Sequence, residues 1–191
     1  VKLIVDKTPA TPGDVIFEIE NLTVKDERKL NAVKNLSLKV RRGEIVGIAG
    51  IDGNGQKELV EAITNLTKSE SGTIKINGKE IQNTTTRNVI DNKISTIHED
   101  RQKRGLILPF TVAENVVIEK YRVKPYNKGG MLNSSEILAY TKGLIKDYDI
   151  RPDNCENQPV RGLSGGNQQK VIIAREIANE PDLLIAVQPT R

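Results

Sequence analysis

Residues 44–63 read EIVGIAGIDGNGQKELVEAI, an apolar run followed by four closely spaced glycines and then a segment with helical spacing. The β-branched content of 44–49 predicts a strand. Apolar residues at 59, 60, 63 and 66 fall on one face of a helix. A strand, a glycine loop and a helix in direct succession form an anion pocket, because backbone N–H groups and the helix N-terminus point to one place.

The glycine loop departs from a complete phosphate loop at its end. A complete loop continues with Lys, which reaches the β- and γ-phosphates, and then Ser or Thr, which binds magnesium. Gln56 and Lys57 occupy those positions here. One helical position rotates a side chain by about 100°, so Lys57 should not point where Gln56 does. A glycine-rich turn without a ligand remains an alternative. The candidate nucleotide-binding residues are Gly50, Ile51, Asp52, Gly53, Asn54, Gly55, Gln56 and Lys57.

A second motif, LSGGNQQK at residues 163–170, also opens a predicted helix. Ser164 can cap this helix, and Gly165 and Gly166 leave backbone N–H groups open to a phosphate. The alternative is an ordinary capped helix, but that would not require two adjacent glycines.

The remaining elements follow from periodicity and turn residues. We predict further strands at 15–20, 35–40, 73–76, 79–81, 94–97 and 182–187, and helices at 111–121, from Asn133, and at 164–179. Asn77-Gly78 predicts a tight hairpin turn, and Asn133 with Glu136 predicts a capping box. The Pro- and Thr-rich residues 8–14 predict a linker, so we place one domain at 15–191 after a linker at 1–14.

Composition excludes several classes of protein. The chain has 191 residues, 37% hydrophobic and 28% charged, with a formal net charge of +4. No apolar run approaches the roughly 20 residues of a membrane span, so a membrane link must run through a partner. A single Cys and a single His leave no intramolecular disulfide and no Cys/His metal cluster, and favour a reducing compartment. The first residue is Val, so we expect the chain to be part of a longer one.

The motif at 163–170 resembles the LSGGQ signature of ATP-binding cassette (ABC) transporter ATPases, and the LSGGNQQK form resembles that of sugar- and nucleoside-importer cassettes. The glycine loop upstream and the strand ending in Pro189-Thr190-Arg191 downstream occur in the family's order. The resemblance implies an α/β fold with a P-loop NTPase core of ABC type. It also implies an antiparallel β subdomain and an inserted helical subdomain, with the chain ending just after the Walker B-like strand.

Other segments resemble the second, C-terminal cassette of fused tandem importer subunits: 50–56, His98-Glu99-Asp100-Arg101, and Gly105-Leu106. The family places a Gln that senses magnesium and the transmembrane partner near Glu99. The family's switch histidine would follow the last strand, so His98 is expected to be a partly exposed residue at a strand end. A linker at 1–14 fits the junction between two cassettes.

The last strand departs from the family pattern, in which Asp holds magnesium through water and Glu positions the attacking water. Val187 and Gln188 stand at those places. Valine cannot bind a hard cation, which prefers oxygen ligands, and Gln188 cannot accept a proton. Residues 24–29 also lack the aromatic residue that stacks on adenine in the family. With the lysine missing as well, we predict a site that binds no metal and does not hydrolyse ATP.

In the family two cassettes pack head to tail, so each signature faces ATP on the other cassette. The resemblance therefore implies that Ser164, Gly165, Gly166 and Gln168 contact ATP, with its magnesium, on a partner cassette of the same polypeptide. It also implies transmembrane permease subunits, an indirect solute-binding protein, and a peripheral place on the cytoplasmic face of a bacterial membrane. No nucleic-acid partner is expected.

Three alternatives stay open at this stage. The chain could hydrolyse ATP by itself, or it could belong to a non-transport ABC ATPase acting on nucleic acid, although no sustained heptads lie between the two motifs. A nucleic-acid-binding module fits the basic charge, but the two Phe and four Tyr residues are scattered and offer no stacking platform.

Overall fold

The computed structural model describes residues 9–51 and 53–189. The chain divides into two compact units, Val1–Asn92 and Lys93–Arg191, each with its own contacts. The predicted linker lies partly outside the described residues. Within them, the Gly13 amide donates to the Arg42 carbonyl and the Arg42 amide donates to the Asp14 carbonyl, both at 2.9 Å.

The first unit is built on a four-stranded antiparallel sheet in the order β2-β1-β3-β4. Its strands are β1 (Val15–Lys25), β2 (Asn31–Arg41), β3 (Ser71–Ile76) and β4 (Lys79–Glu80), and its helices are α1 (Gln56–Ile63) and α2 (Thr86–Asp91). Alternating apolar side chains of β1 and β3 form the core, led by Ile19, Leu22 and Ile74 at 0% exposure. The predicted antiparallel β element is confirmed, although β3 begins two residues earlier than predicted and β4 ends one residue earlier.

The turn between β3 and β4 is the predicted hairpin. Asn77 and Gly78 both have positive φ, 48° and 77°, as a type I′ turn requires. Position 72, in β3, requires glycine for two reasons. Its φ is 89°, and a Cβ there would stand 2.5 Å from the Glu20 carbonyl oxygen.

The predicted strand at 44–49 is wrong in this structure. None of the described strands includes these residues, and Ile45 and Ile48 are 94% and 56% exposed. The physical reason is that a strand exists only when a neighbour completes its hydrogen-bond ladder. β-branched residues fit a half-buried pleated surface, but their presence does not guarantee a neighbouring strand to pair with.

The described residues of the second unit form a short parallel sheet and three α-helices. β5 (Ile94–Ile97) pairs in parallel with β8 (Leu183–Ala186), with Ile94 opposite Leu183 and Ile97 opposite Ala186. The helices are α3 (Val112–Val117), α4 (Ser134–Asp147) and α5 (Gly165–Ala178), and a small hairpin joins β6 (Asn127–Lys128) to β7 (Met131–Leu132). A π-helical turn spans Arg101–Gly105 and a 3-10 turn spans Val160–Gly162.

The core of this unit surrounds α5. Val171 and Ala174 are 0% exposed and Ile172 is 1% exposed, and they pack with residues of α3, α4 and the segment between α4 and α5. The apolar sequence of α5 predicts this burial on more than one side. Ile177 is the exception, at 43% exposure.

Two helix predictions need correction. The helix predicted at 111–121 ends at Val117 and continues as turns. The capping box predicted at Asn133 does not form, because the Asn133 side chain caps no backbone amide and its carbonyl oxygen instead accepts from the Ser135 hydroxyl at 2.8 Å. A complete capping box forms at α3, where Thr111 and Glu114 bond reciprocally.

Candidate functional site

Ser164 is the N-cap of α5, as its position in the motif predicts. Its side-chain oxygen accepts from the Asn167 backbone amide at 3.4 Å and from the Asn167 side-chain amide at 3.0 Å. A hydroxyl has two acceptor lone pairs and one donor hydrogen. Both bonds use lone pairs, so the O–H of this exposed serine can be donated outward.

Gly165 and Gly166 form the first turn of α5. First-turn amides have no carbonyl within their own helix to bond, and the positive end of the helix dipole adds to their attraction for anions. Around Gly166, an added Cβ would meet nothing within 4 Å. Gly166 is exposed, and the space that a side chain there would fill is empty.

Gln168 lies differently from its predicted place at the nucleotide. The residue is only 4% exposed, and its side-chain amide donates to the carbonyls of Val160 at 3.0 Å and Leu163 at 3.3 Å. Gln168 is one position after Asn167, so its side chain is rotated by about 100° around the helix axis and points into the second unit. Gln168 therefore holds the signature to the preceding 3-10 turn and does not reach outward.

Asn167 is a structural residue that sequence reasoning missed. While its nitrogen bonds Ser164, its side-chain oxygen accepts from the Arg151 backbone amide at 2.8 Å. On the next turn Lys170 bonds the Asp149 carboxylate at 3.0 Å. Lys170 first, and then Arg151, lower the pKa of Asp149 and keep this carboxylate charged. These contacts fix the start of α5 against the segment that follows α4.

The glycine loop of the first unit leads into α1. Gly53 and Gly55 have φ of 84° and 90°, and a Cβ on Gly55 would stand 2.5 Å from the Ala32 carbonyl oxygen. Only glycine tolerates both the angle and the approach. Asp52, a predicted site residue, lies outside the described residues, and the neighbouring Ile51 is 76% exposed.

Gln56 and Lys57 diverge at the end of this loop, as the one-position shift predicts. The Gln56 side-chain nitrogen packs on Gly50, where an added Cβ would stand 2.0 Å from it. The Lys57 ammonium instead lies 3.1 Å from the Glu27 carboxylate and 3.9 Å from that of Glu61. Hydrogen bonding to Glu27, followed by the charge of Glu61, raises the pKa of Lys57. An amide thus takes the place beside the glycine backbone, and the nearby cation is engaged by carboxylates.

The parallel pairing of β5 and β8 places the Walker B-like positions, Val187 and Gln188, and the Q-loop position, Glu99, after the same ends of the two strands. The Val187 amide donates to the Ile97 carbonyl at 2.9 Å, directly before His98 and Glu99. His98 is half-exposed after the end of β5, as predicted, and Glu99 and Gln188 are exposed. Val187 offers no side-chain oxygen at the position where the family pattern has the magnesium-binding Asp.

The described residues include neither a metal-binding cluster nor a membrane-crossing helix. At 9–51 and 53–189, no group of three or more His, Cys, Asp or Glu side chains is arranged to hold a metal ion. Over the same residues, no helix combines the length and apolar character that crossing a membrane requires.

Comparisons with known proteins agree on one family. A family model described as ABC transporter matches residues 33–191. The chain is 52% identical over 187 residues to "Guanosine import ATP-binding protein NupO" of Bacillus subtilis (strain 168), covering 97% of this chain and 36% of that protein. It is 49% identical over 191 residues to "Nucleoside import ATP-binding protein NupA" of Lactococcus lactis subsp. cremoris (strain MG1363), covering 100% of this chain and 38% of that protein. The chain thus spans little more than a third of these relatives' length.

Solved structures show the same fold. A dimeric post-hydrolysis state of the ATP-binding cassette MJ0796 bound to ADP and Pi aligns with a TM-score of 0.72 at 26% identity, over 92% of this chain and 75% of that one. A nucleotide-free ATP-binding cassette from an ABC transporter aligns with a TM-score of 0.74 at 22% identity, over 93% of this chain and 70% of that one.

Proposed function

This chain belongs to the ABC transporter family, as its signature predicted, and we propose that it donates that signature to ATP bound on a partner cassette in an importer of nucleosides or sugars. The solved cassettes also confirm the predicted α/β fold with a P-loop core of ABC type.

The observation that carries this proposal is the geometry at the start of α5. Ser164 is exposed with a hydroxyl hydrogen to donate, and the first-turn amides of Gly165 and Gly166 follow it. Donors held in place before the ligand arrives stabilise charge without reorganising, which phosphoryl transfer chiefly needs. The signature thus supplies hydrogen-bond donors to ATP that the partner cassette holds.

The chain's own ATP site is proposed to be non-hydrolytic. Three features support this: Gln56 stands beside the glycine backbone, Lys57 pairs with Glu27, and Val187 has no ligand oxygen. Magnesium would supply charge neutralisation at the partner's phosphates, where that partner's residues hold it. No step of hydrolysis is assigned to this chain's own loop.

The assembly around the chain follows from the family. We propose a companion cassette on the same polypeptide, joined through a linker at 1–14 to the domain at 15–191. We also propose transmembrane permease subunits that receive the transported substrate from a solute-binding protein. A dimer observed for another cassette supports a cassette partner. The complex would lie on the cytoplasmic face of the membrane, with this chain peripheral.

The relatives favour nucleosides over sugars as cargo. Two relatives named for guanosine and nucleoside import are 52% and 49% identical to the chain. Glucose- and ribose-import relatives share 39% and 37%. Selection of the cargo itself belongs to the permease and solute-binding subunits.

The isolated chain is expected to show no magnesium-dependent ATP hydrolysis, because Gln56, Val187 and Gln188 stand where the family pattern has a cationic phosphate ligand, a metal ligand and a catalytic carboxylate. Steady-state phosphate release, compared with a no-enzyme blank, measures this. A Gly53→Asp variant is the control, since turnover that survives it comes from a contaminant. Release that requires magnesium and disappears in the control would show that the chain is an autonomous ATPase.

The isolated chain is also expected to bind ATP weakly and with little dependence on magnesium. A charge-assisted hydrogen bond is worth about 1.5–3 kcal/mol, so losing the loop lysine weakens binding roughly 10- to 150-fold. Calorimetric titration with and without magnesium measures the affinity. Gln56→Lys should strengthen binding, whereas Gln102→Lys, which adds the same charge at an exposed position of the second unit, should not. Tight, magnesium-dependent binding by the unmodified chain would contradict this expectation.

A further inference from the structure

A short β-hairpin lies between α3 and α4 in the chain. Its strands β6 and β7 pair with Lys128 opposite Met131 and Asn127 opposite Leu132. The two-residue loop Gly129-Gly130 has φ of 62° and 88°, as a type I′ turn requires. A Cβ built on either glycine would meet nothing within 4 Å. The tip of the hairpin therefore stands clear of the rest of the described chain.

The base of this hairpin is fixed to the helices beside it. The Tyr126 carbonyl accepts from the Asn133 amide at 2.9 Å, and the Asn127 side-chain oxygen accepts from the Gly130 amide at 3.0 Å. The Tyr126 ring packs on a buried cluster of α3 and α4 residues, and its centroid lies 5.1 Å from that of Tyr140. The hairpin thus has a defined place while its tip stays open.

Two apolar side chains at the tip are exposed. Met131 is 75% exposed and Leu132 is 56% exposed. Successive residues of a strand point to opposite faces, so one of these side chains lies on each face of the hairpin. A flat protein surface covers one face of a hairpin and would leave the other apolar side chain in water. A fluid medium that surrounds the tip buries both side chains at once.

The segment that contains the hairpin is basic. Residues 120–135 include one Arg and three Lys and no Asp or Glu. Lys120 turns inward, where its ammonium donates to the Tyr140 hydroxyl at 3.1 Å. The other three basic side chains are exposed: Arg122, Lys124 and Lys128.

These three exposed cations have no ion-pair partner among the residues that the structure describes. The Arg122 guanidinium donates to the hydroxyl of Tyr121 at 2.7 Å, which leaves its charge in place because that hydroxyl is neutral. The hairpin therefore combines apolar side chains at its tip with positive charge that no described carboxylate neutralises. An anionic surface with an apolar interior matches both features.

We propose that a hairpin surface made of Arg122, Lys124, Lys128, Met131 and Leu132 contacts the headgroup region of an anionic lipid bilayer. Each basic side chain near such a surface strengthens binding about fivefold. Apolar side chains at the tip enter the boundary between headgroups and acyl chains, as interfacial segments do without crossing the membrane. The contact goes beyond the proposed function, because it adds a direct lipid contact to the link through permease subunits.

Co-sedimentation of the chain with vesicles tests the charge of the hairpin surface. The chain should bind vesicles of equimolar phosphatidylglycerol and phosphatidylcholine, and should not bind vesicles of phosphatidylcholine alone. A variant that combines Arg122→Gln, Lys124→Gln and Lys128→Gln should bind the anionic vesicles roughly 100-fold more weakly. Failure of the unmodified chain to bind anionic vesicles would overturn the proposal.

A control variant with the same net charge separates this surface from general attraction of a basic protein. It combines Lys29→Gln, Lys34→Gln and Lys79→Gln, which are exposed positions of the first unit. Attraction to a charged surface falls off within a Debye length, so this variant should bind within about threefold of the unmodified chain. Equal losses in the two triple variants would overturn the assignment to the hairpin.

Tryptophan fluorescence tests the apolar tip. The chain contains no Trp, so Met131→Trp supplies a single reporter. Its emission should shift to shorter wavelength when anionic vesicles are added, and brominated lipid should quench it. Leu30→Trp places the reporter at a 59% exposed residue of the first unit and should show neither change. Emission from Met131→Trp that stays as in water would overturn the proposal.

Two further measurements distinguish this contact from other roles. Ser164→Arg should leave vesicle binding unchanged, so failure of the proposed signature donation and failure of the lipid contact are observed separately. If the hairpin surface instead binds protein, its triple variant will lose retention on permease subunits in detergent while the unmodified chain shows no vesicle binding. That result would overturn the lipid assignment.

Discussion

Ser164→Arg is expected to abolish ATP turnover at the partner's site in the assembled importer, by at least about 100-fold in kcat. The change removes a hydroxyl that can donate to phosphate and places a long side chain where the γ-phosphate would lie. Ser164 is exposed and caps α5, so the substituent projects away from the unit's core. Phosphate release and substrate uptake by reconstituted transporter measure the effect.

Two comparison variants separate loss of the donor from loss of structure. Ser164→Ala removes the cap, which costs about 1 kcal/mol of stability, without adding bulk. Ser134→Arg makes the same substitution at the first residue of α4, also exposed. Transporter that carries Ser134→Arg should take up substrate at the unmodified rate. Unchanged transport in Ser164→Arg would mean that the signature does not contact nucleotide during the cycle.

Glu176→Ala is expected to lower the free energy of unfolding by about 3–5 kcal/mol, because it leaves a buried cation unpaired. The side chains of Arg175 and Glu176 are 7% and 2% exposed, with Nη2 and Oε1 2.8 Å apart. Glu176 also accepts from the Thr96 amide of β5 at 3.3 Å. The pair joins the signature helix to the parallel sheet, and urea denaturation of the chain measures its removal.

Two comparison variants test this explanation: one replaces the buried ion pair with apolar residues, and the other breaks an exposed ion pair. Arg175→Met with Glu176→Leu removes both charges and should cost less than Glu176→Ala alone. Asp91→Ala breaks an exposed pair with Arg87, whose nitrogen lies 3.0 Å from the carboxylate, and should change stability by under about 1 kcal/mol. A loss of that small size for Glu176→Ala would mean that water reaches the Arg175 guanidinium once the carboxylate is gone.

Features set by neighbouring residues in the chain were predictable. Asn77-Gly78 makes a hairpin turn because both residues tolerate positive φ. Ser164 caps α5 because a serine oxygen reaches an amide three residues on. The divergence of Gln56 and Lys57 follows from helical rotation. Each of these depends on local geometry, which the order of residues specifies.

Features set by distant neighbours were not predictable in the same way. The segment 44–49 has the composition of a strand but no pairing among the described strands, and Gln168 turns inward to carbonyls of the preceding turn. In each case the sequence shows what a residue is able to do, and a partner elsewhere in the fold decides whether it does so.

By itself, the sequence determined the family, the position of the signature and the absence of a carboxylate at Val187 and Gln188, because these depend only on which residues occur and in what order. Only the tertiary structure decided that Arg101 lies over Gly165 and that Arg175 and Glu176 of the signature helix are buried as an ion pair. Residues 101 and 165 are far apart along the chain, and no periodicity relates them. Their contact is set by how the π-helical turn packs on α5, which is a property of the folded core.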